Sequence, residues 1–273
     1  MKATLTLIQY KEIIEAMKSK YGIDLSQYAI SSLNYTFIAL MNELRLYSHS
    51  SFIKSFTTNV AIKEKLFSRL INESVGLFRE PSLWRIMKKE IFDVILSKGN
   101  LKIWLPELSN ASDLYTLLIV LDYYKLRSKA RITVSDLSNL NIDASKKGEL
   151  SRDILSNSIL NLKHFNPDIN IADYTYQVNK QSYINKELLM NVYSVKGDFF
   201  EAKPSYSPNL VLFRNRMIYY NHVREQKAIN FLHKTMSGGG FLFVGIKEDL
   251  TTFEINKKFR LLNKDEQIYK RNF

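Results

Sequence analysis

Three acids and two arginines stand where short apolar runs end. The run 101–105 is followed by Glu107, and Asp113 opens the helical pattern of 114–124. The run 132–137 carries Asp136 near its end, and the run 209–213 leads into Arg214, Asn215 and Arg216. Short apolar runs of this kind read as doubly covered parallel strands. Ligands of such sheets sit at the carboxyl ends of the strands, so these polar groups ring a candidate site. An acid at the tip of a second strand suits a nucleoside, because one carboxylate accepts from both ribose hydroxyls. Asp136 has that place; its other reading is an N-cap for the next short helix. Glu107 and Asp113 can each project a carboxylate toward the same crevice, though Asp113 also reads as a first-turn acid favoured by the helix dipole. Arg79 reads, on its own, as a salt-bridge partner of Glu80 or Glu90.

The elements that must carry these groups follow from periodicity. After the run 209–213, Val223, Arg224, Ala228, Phe231 and Leu232 repeat at helical spacing, and Gly238-Gly239-Gly240 stops that helix before an apolar run at 241–246. Strand, helix and strand of this length make a right-handed crossover. The runs 101–105 and 132–137 are separated as a second such unit requires. Residues 1–90 read as helical: Ile8, Ile13, Ile14 and Met17 share a face, Gly22 breaks it, and further helices are expected within 25–46, at 50–56 and at 61–71, with a loop at Asn72, Glu73 and Ser74. Weak alternation at 169–178 and 181–193 predicts two or three short strands.

At 273 residues the chain suits one main domain with an appendage, and its net charge is +12. It has no cysteine, no charged-then-apolar leader pattern and no apolar run long enough to cross a bilayer, which predicts a cytoplasmic protein without membrane insertion. The charge suits an acidic partner, but the basic residues form no single tract, so nucleic acid is not the expected ligand. The histidines at 49, 164, 222 and 233 are too dispersed for a metal cluster. Gly238-Gly239-Gly240 follows a helix and precedes a strand, the order of a turn rather than of a phosphate loop.

The stretch FRNRMIYYN at 213–221, with GGFLFVGIKEDL at 239–250, resembles the CheR family of chemotaxis methyltransferases, whose segment reads roughly CRN-V-x-IYF, a helix, then PGG-x-L-x-x-G-x-x-E-x-L. Other stretches agree. YGIDLSQYAISSLNYTFIALM is similar to the family's N-terminal helical pattern without its paired arginines. VGLFREPSLWRIM resembles the hinge, with Phe78, Arg79 and Glu80 kept and Val75 at the threonine position. Trp104, Ser109 and Tyr115 match the family's cofactor loop, where Ala111 stands for the glycine and Ser112 and Asp113 for the two glutamates. The run ending in Asp136 resembles A-(S/T)-D-I, and ASKKGELS at 144–151 resembles A-R-x-G-x-Y-S. Asp198 takes the asparagine of x-x-x-N-L-L, and the tail 253–269 resembles a closing antiparallel pair.

The resemblance implies an α/β fold: a Rossmann-like S-adenosylmethionine methyltransferase sheet in 91–273, an N-terminal helical subdomain and hinge in 1–90, and a small β insertion at about 150–193. The implied activity is methyl transfer from S-adenosylmethionine to a glutamate carboxylate on a helical, chemoreceptor-like signalling partner. In that scheme Asp136 holds the ribose, Asp198 and Phe199 the adenine, and Glu107 or Asp113 the methionine amino group. Asn215 and Arg216 form the far wall, and Arg79 and Tyr219 line the transfer crevice. The departures around Ala111 imply the alternative, an inactive CheR-like interaction module that does not bind the cofactor.

Overall fold

The computed structural model describes residues 3–71, 76–250 and 257–273. The expected loop at Asn72, Glu73 and Ser74, the hinge position Val75 and the start of the tail at 253–256 lie outside the described residues. The chain opens with α1 (Leu7–Tyr21), α2 (Ile30–Glu43), α3 (His49–Thr58) and α4 (Val60–Phe67). Then α5 (Pro81–Ile86) runs through a π-helical turn, Met87–Phe92, into α6 (Asp93–Leu96). The rest is β1 (Leu101–Pro106), α7 (Ser112–Tyr123), β2 (Ala130–Asp136), α8 (Asn139–Lys147), β3 (Glu149–Leu150), α9 (Arg152–Phe165), β4 (Thr175–Val178) and β5 (Gln181–Ile184). After these come α10 (Lys186–Leu189), β6 (Val192–Lys196), β7 (Leu210–Leu212), α11 (His222–Thr235), β8 (Phe241–Phe243), β9 (Phe259–Asn263) and β10 (Ile268–Arg271). Among the described residues no helix is long and apolar enough to cross a membrane.

Local chemistry sets the boundaries. Thr6 and Gln9 form a capping box at the start of α1, and Gly22 ends that helix at φ 71°, a left-handed conformation that costs glycine nothing. Asn221 caps α11 by accepting from the backbone N–H of Arg224.

The main sheet runs β6-β2-β1-β7-β8-β10-β9. Its pairs are parallel from β6 to β8, while β10 is antiparallel to both β8 and β9. The chain builds outward from β1 through β2 to β6, then returns to lay β7 on the other side of β1. That reversal of direction opens a crevice beyond the carboxyl ends of β1 and β7, which is what a Rossmann-like sheet supplies for a ligand.

Strand alternation gives the sheet two apolar faces. Ile103, Leu105, Val134 and Leu212 join α7 and α9 in one core. Trp104, Val211, Phe213 and Leu242 face the other way and share a core with α11 and with Ile13, Leu33, Phe37 and Phe52 of the N-terminal helices. Those helices are therefore fastened to the sheet by common burial, close to its crevice.

The insertion differs from the expectation for 150–193. Its antiparallel sheet is β3-β5-β4, but α9 occupies 152–165; of the runs expected to supply two or three short strands, 169–178 gives β4, and 181–193 gives β5 and the start of β6, which belongs to the main sheet. Ile154, Ser158, Leu162 and Phe165 bury one helical stripe, a spacing that frequent Asn, Ser and Lys obscure in the sequence.

Candidate functional site

The loop from β1 to α7 follows a path suited to glycine and carries none. Glu107, Ser109 and Ala111 take φ of 52°, 55° and 60°, each a left-handed conformation costing on the order of 1 kcal/mol for a residue with a Cβ. Hydrogen bonds hold the loop there. The Leu108 N–H donates to the Ser135 carbonyl (3.0 Å), the Ser109 N–H to Asp136 (2.9 Å) and the Ser109 hydroxyl to the Ile71 carbonyl (3.0 Å). The backbone expected of glycine at Ala111 is kept, and the side chains added to it point somewhere.

Glu107 points into the crevice. Its carboxylate accepts from the Tyr28 hydroxyl (3.4 Å) and from the Tyr220 hydroxyl, and the Arg224 guanidinium stands 3.7 Å away. Burial pushes this carboxyl up to about 7, against the opposing pull of Arg224, Tyr220 and Arg216. Arg224 donates to Asp198 (3.0 Å) and toward the Tyr28 hydroxyl (3.2 Å), with 4% of its side chain exposed. Aromatic rings enclose it: Tyr28, Tyr220 and Phe200 lie 4.5, 4.7 and 4.9 Å from the guanidinium carbon. An N-terminal tyrosine, a strand-end glutamate and a helix arginine are thus tied into one knot. A cleft of about 660 Å³ adjoins it, with Tyr21, Asp24, Asp198, Phe200, Arg224 and Phe231 among its walls.

Asp136 is buried beside this knot and accepts from the Ser109 N–H, the Ser138 N–H (2.7 Å) and Asn141 (3.1 Å). Burial raises its carboxyl even so, although those three donors and the Arg216 charge oppose the shift. The N-cap reading of Asp136 is corrected: Ser138 caps α8 by accepting from the Leu140 N–H.

Asp113 is used elsewhere. It holds Arg214 at 2.6 Å, Glu80 holds the same fully buried guanidinium at 2.8 Å, and the Trp84 ring lies 5.4 Å from it. Arg214 is fully buried and Asp113 partly so, and in place of the strand-end reading the two pair with each other. Asp113→Ala is expected to lower the unfolding free energy by about 2 kcal/mol, read from urea transitions, since a buried guanidinium loses one of its two carboxylates.

Phe199 is also corrected. It is buried, stacked on Phe213 at 4.8 Å and on Trp104 at 5.8 Å, so its ring belongs to the core. Phe200 is the one that reaches the cleft. Asp198 does lie in the knot. Asn215 and Arg216 are buried at the end of β7, and the charge of Arg216 acts on both Glu107 and Asp136. Tyr219 is half-buried among the N-terminal core residues, and its carbonyl accepts from the Ala29 N–H; Tyr220 is the tyrosine with its hydroxyl on Glu107. Arg79 pairs with Glu80 at 3.6 Å.

Sequence reasoning missed Tyr28, Tyr220, Arg224 and Glu248. The buried Glu248 carboxylate accepts from the backbone N–H groups of Asn215 (2.8 Å) and Met217 (2.7 Å), which fixes the turn after β7. The glutamate in the pattern matched at 239–250 was its signal. Tyr28 had none, because it reaches the site across 79 positions of sequence. Among the described residues no group of acids and histidines is placed to hold a metal ion.

Comparison with known proteins bears on the same residues. Positions 73–268 match the family described as CheR methyltransferase, SAM binding domain. The chain is similar to the putative methyltransferase Cher3 of Pseudomonas putida, at 21% identity over 98% of both chains. A chemotaxis protein methyltransferase of Vibrio anguillarum is 22% identical over 91% of each. One of Listeria innocua is 18% identical over 88% of this chain and 90% of its own. Among solved structures, the N-methyltransferase NodS from Bradyrhizobium japonicum in complex with S-adenosyl-L-homocysteine aligns with a TM-score of 0.42 at 11% identity, covering 77% of this chain and 96% of NodS.

Proposed function

Since this chain belongs to the CheR methyltransferase family, whose chemistry is S-adenosylmethionine-dependent methyl transfer, we propose that it is a divergent member working as a signalling module, its crevice closed to the cofactor. One observation carries this reading. The groups that would receive a nucleoside and an amino-acid cation are already bound to the chain itself: Glu107 and Asp198 to Arg224, and Asp136 to three N–H donors.

On this reading a cofactor that recruits Glu107 and Asp198 must first draw them from Arg224. Breaking a buried ion pair costs about 3–5 kcal/mol, and a micromolar ligand brings only about 8 kcal/mol in all. Affinity would fall by roughly two to four orders of magnitude. The partner class that suits a net charge of +12 is an acidic, helical signalling protein of the chemoreceptor kind.

A second reading, methyl transfer to a glutamate carboxylate on that partner, is favoured by Asp136 at the tip of β2 with Asn215 and Arg216 at the tip of β7. Thermal unfolding with millimolar S-adenosylhomocysteine separates the two. Ligand at a hundred times its dissociation constant would add about 2.7 kcal/mol and raise the midpoint by several degrees. The module reading expects no shift, and a shift of that size would establish the enzyme reading instead.

A further inference from the structure

At the opposite end of the sheet from the crevice, where β1 and β8 begin and β10 ends, a cavity of about 220 Å³ is walled by Lys98, Lys102, Lys270 and the turn Gly238-Gly239-Gly240. The register explains why the lysines meet. Lys270 pairs with Phe241, the Phe241 N–H donates to the Asn209 carbonyl (3.0 Å), and the Asn209 N–H donates to the Lys102 carbonyl (2.9 Å). The two lysines therefore stand on one row of rungs, three strands apart, about 14 Å between backbones, a span that two lysine side chains can close from both sides. The glycine turn packs closely on its neighbours: a Cβ on Gly240 would lie 3.0 Å from the Ser237 carbonyl oxygen, and one on Gly239 would lie 3.1 Å from the Phe273 ring.

Every charged side chain in the wall is a cation, and Phe273 lines it as well. None of the three lysines has a carboxylate partner among the described residues. The carboxyl end of α11 nearby supplies about half a negative charge, too little to balance three cations held around one concavity. A concave site lined by one sign concentrates the opposite ion. We infer that this cavity binds a compact multivalent oxyanion, the phosphate or diphosphate group of a small phosphorylated ligand. A nucleic-acid backbone offers the same chemistry, but the basic residues of the chain form no single tract in the sequence.

Titration calorimetry of the full chain with sodium pyrophosphate tests this. Saturable, salt-sensitive binding is expected, weakened about a hundredfold in Lys102→Ala/Lys270→Ala, at about tenfold for each lost charge-assisted bond, and kept in Lys102→Arg/Lys270→Arg. Far-ultraviolet circular dichroism checks that each variant is folded. Absence of saturable heat at millimolar pyrophosphate would overturn the assignment, as would unchanged affinity in the folded alanine variant. Tighter binding of a single-stranded oligonucleotide than of pyrophosphate, growing with its length, would also overturn it.

Discussion

Arg224→Ala is expected to destabilise the protein by about 3–5 kcal/mol and to lower its thermal midpoint by roughly 10 °C. The guanidinium is 4% exposed and touches groups from three parts of the chain: Tyr28 beyond α1, Glu107 after β1, and Asp198 after β6. Its removal leaves two carboxylates in an aromatic enclosure without their common cation, and a buried charge that has lost its partner costs more than the pair contributed. The loss should be local before it is global. Because Tyr28 joins the N-terminal helices to the strand ends, amide exchange and proteolysis near 21–30 should rise most. Arg224→Lys keeps the charge but lacks the planar fork that serves several acceptors, so it should recover only part of the loss. A variant as stable as the parent would show that the knot contributes little to holding the molecule together.

The second large effect concerns pH. Glu107 titrates at about 7 in the folded protein, above an ordinary glutamate, because burial disfavours its charged form. A raised carboxyl binds its proton more tightly in the folded state, so its contribution is full below the ordinary carboxylate range and is lost as pH rises through about 7. The shift corresponds to about 3 kcal/mol. Glu107→Gln, which resembles the protonated form at every pH, should match the parent near pH 4 and exceed its stability by about 3 kcal/mol near pH 9. Denaturant unfolding across that range reads the difference directly, and parallel curves would remove Glu107 as the titrating group.

Much of the scaffold was legible because it is written locally. The runs that became β1, β2, β7 and β8 are short, apolar and bounded by polar or glycine residues, and the stripe of α11 repeats at helical spacing. The candidate site was less legible, because what a side chain does there depends on what reaches it from afar. Asp113 is the first-turn acid its position suggests, but nothing local told that Arg214, 101 positions away, also claims it. Phe199 and Phe200 are neighbours of one type, and only the packing of Trp104 and Phe213 decides which ring is core. Asp136 sits at the strand tip where its position predicts, yet two of its three donors are backbone groups of the two adjoining loops. Ala111 keeps the left-handed backbone expected of glycine, while Glu107, left-handed too, meets Tyr28, Tyr220 and Arg224, none of them near it in sequence.

The proposed reading has the chain's own arginine and tyrosines occupying the place of the cofactor. Titration calorimetry of the unmodified protein with S-adenosylhomocysteine, repeated on Asp136→Ala, addresses it most directly. The account predicts no saturable heat up to millimolar ligand for either protein. Micromolar binding to the parent, abolished by Asp136→Ala, would contradict it and restore the crevice as a working cofactor site.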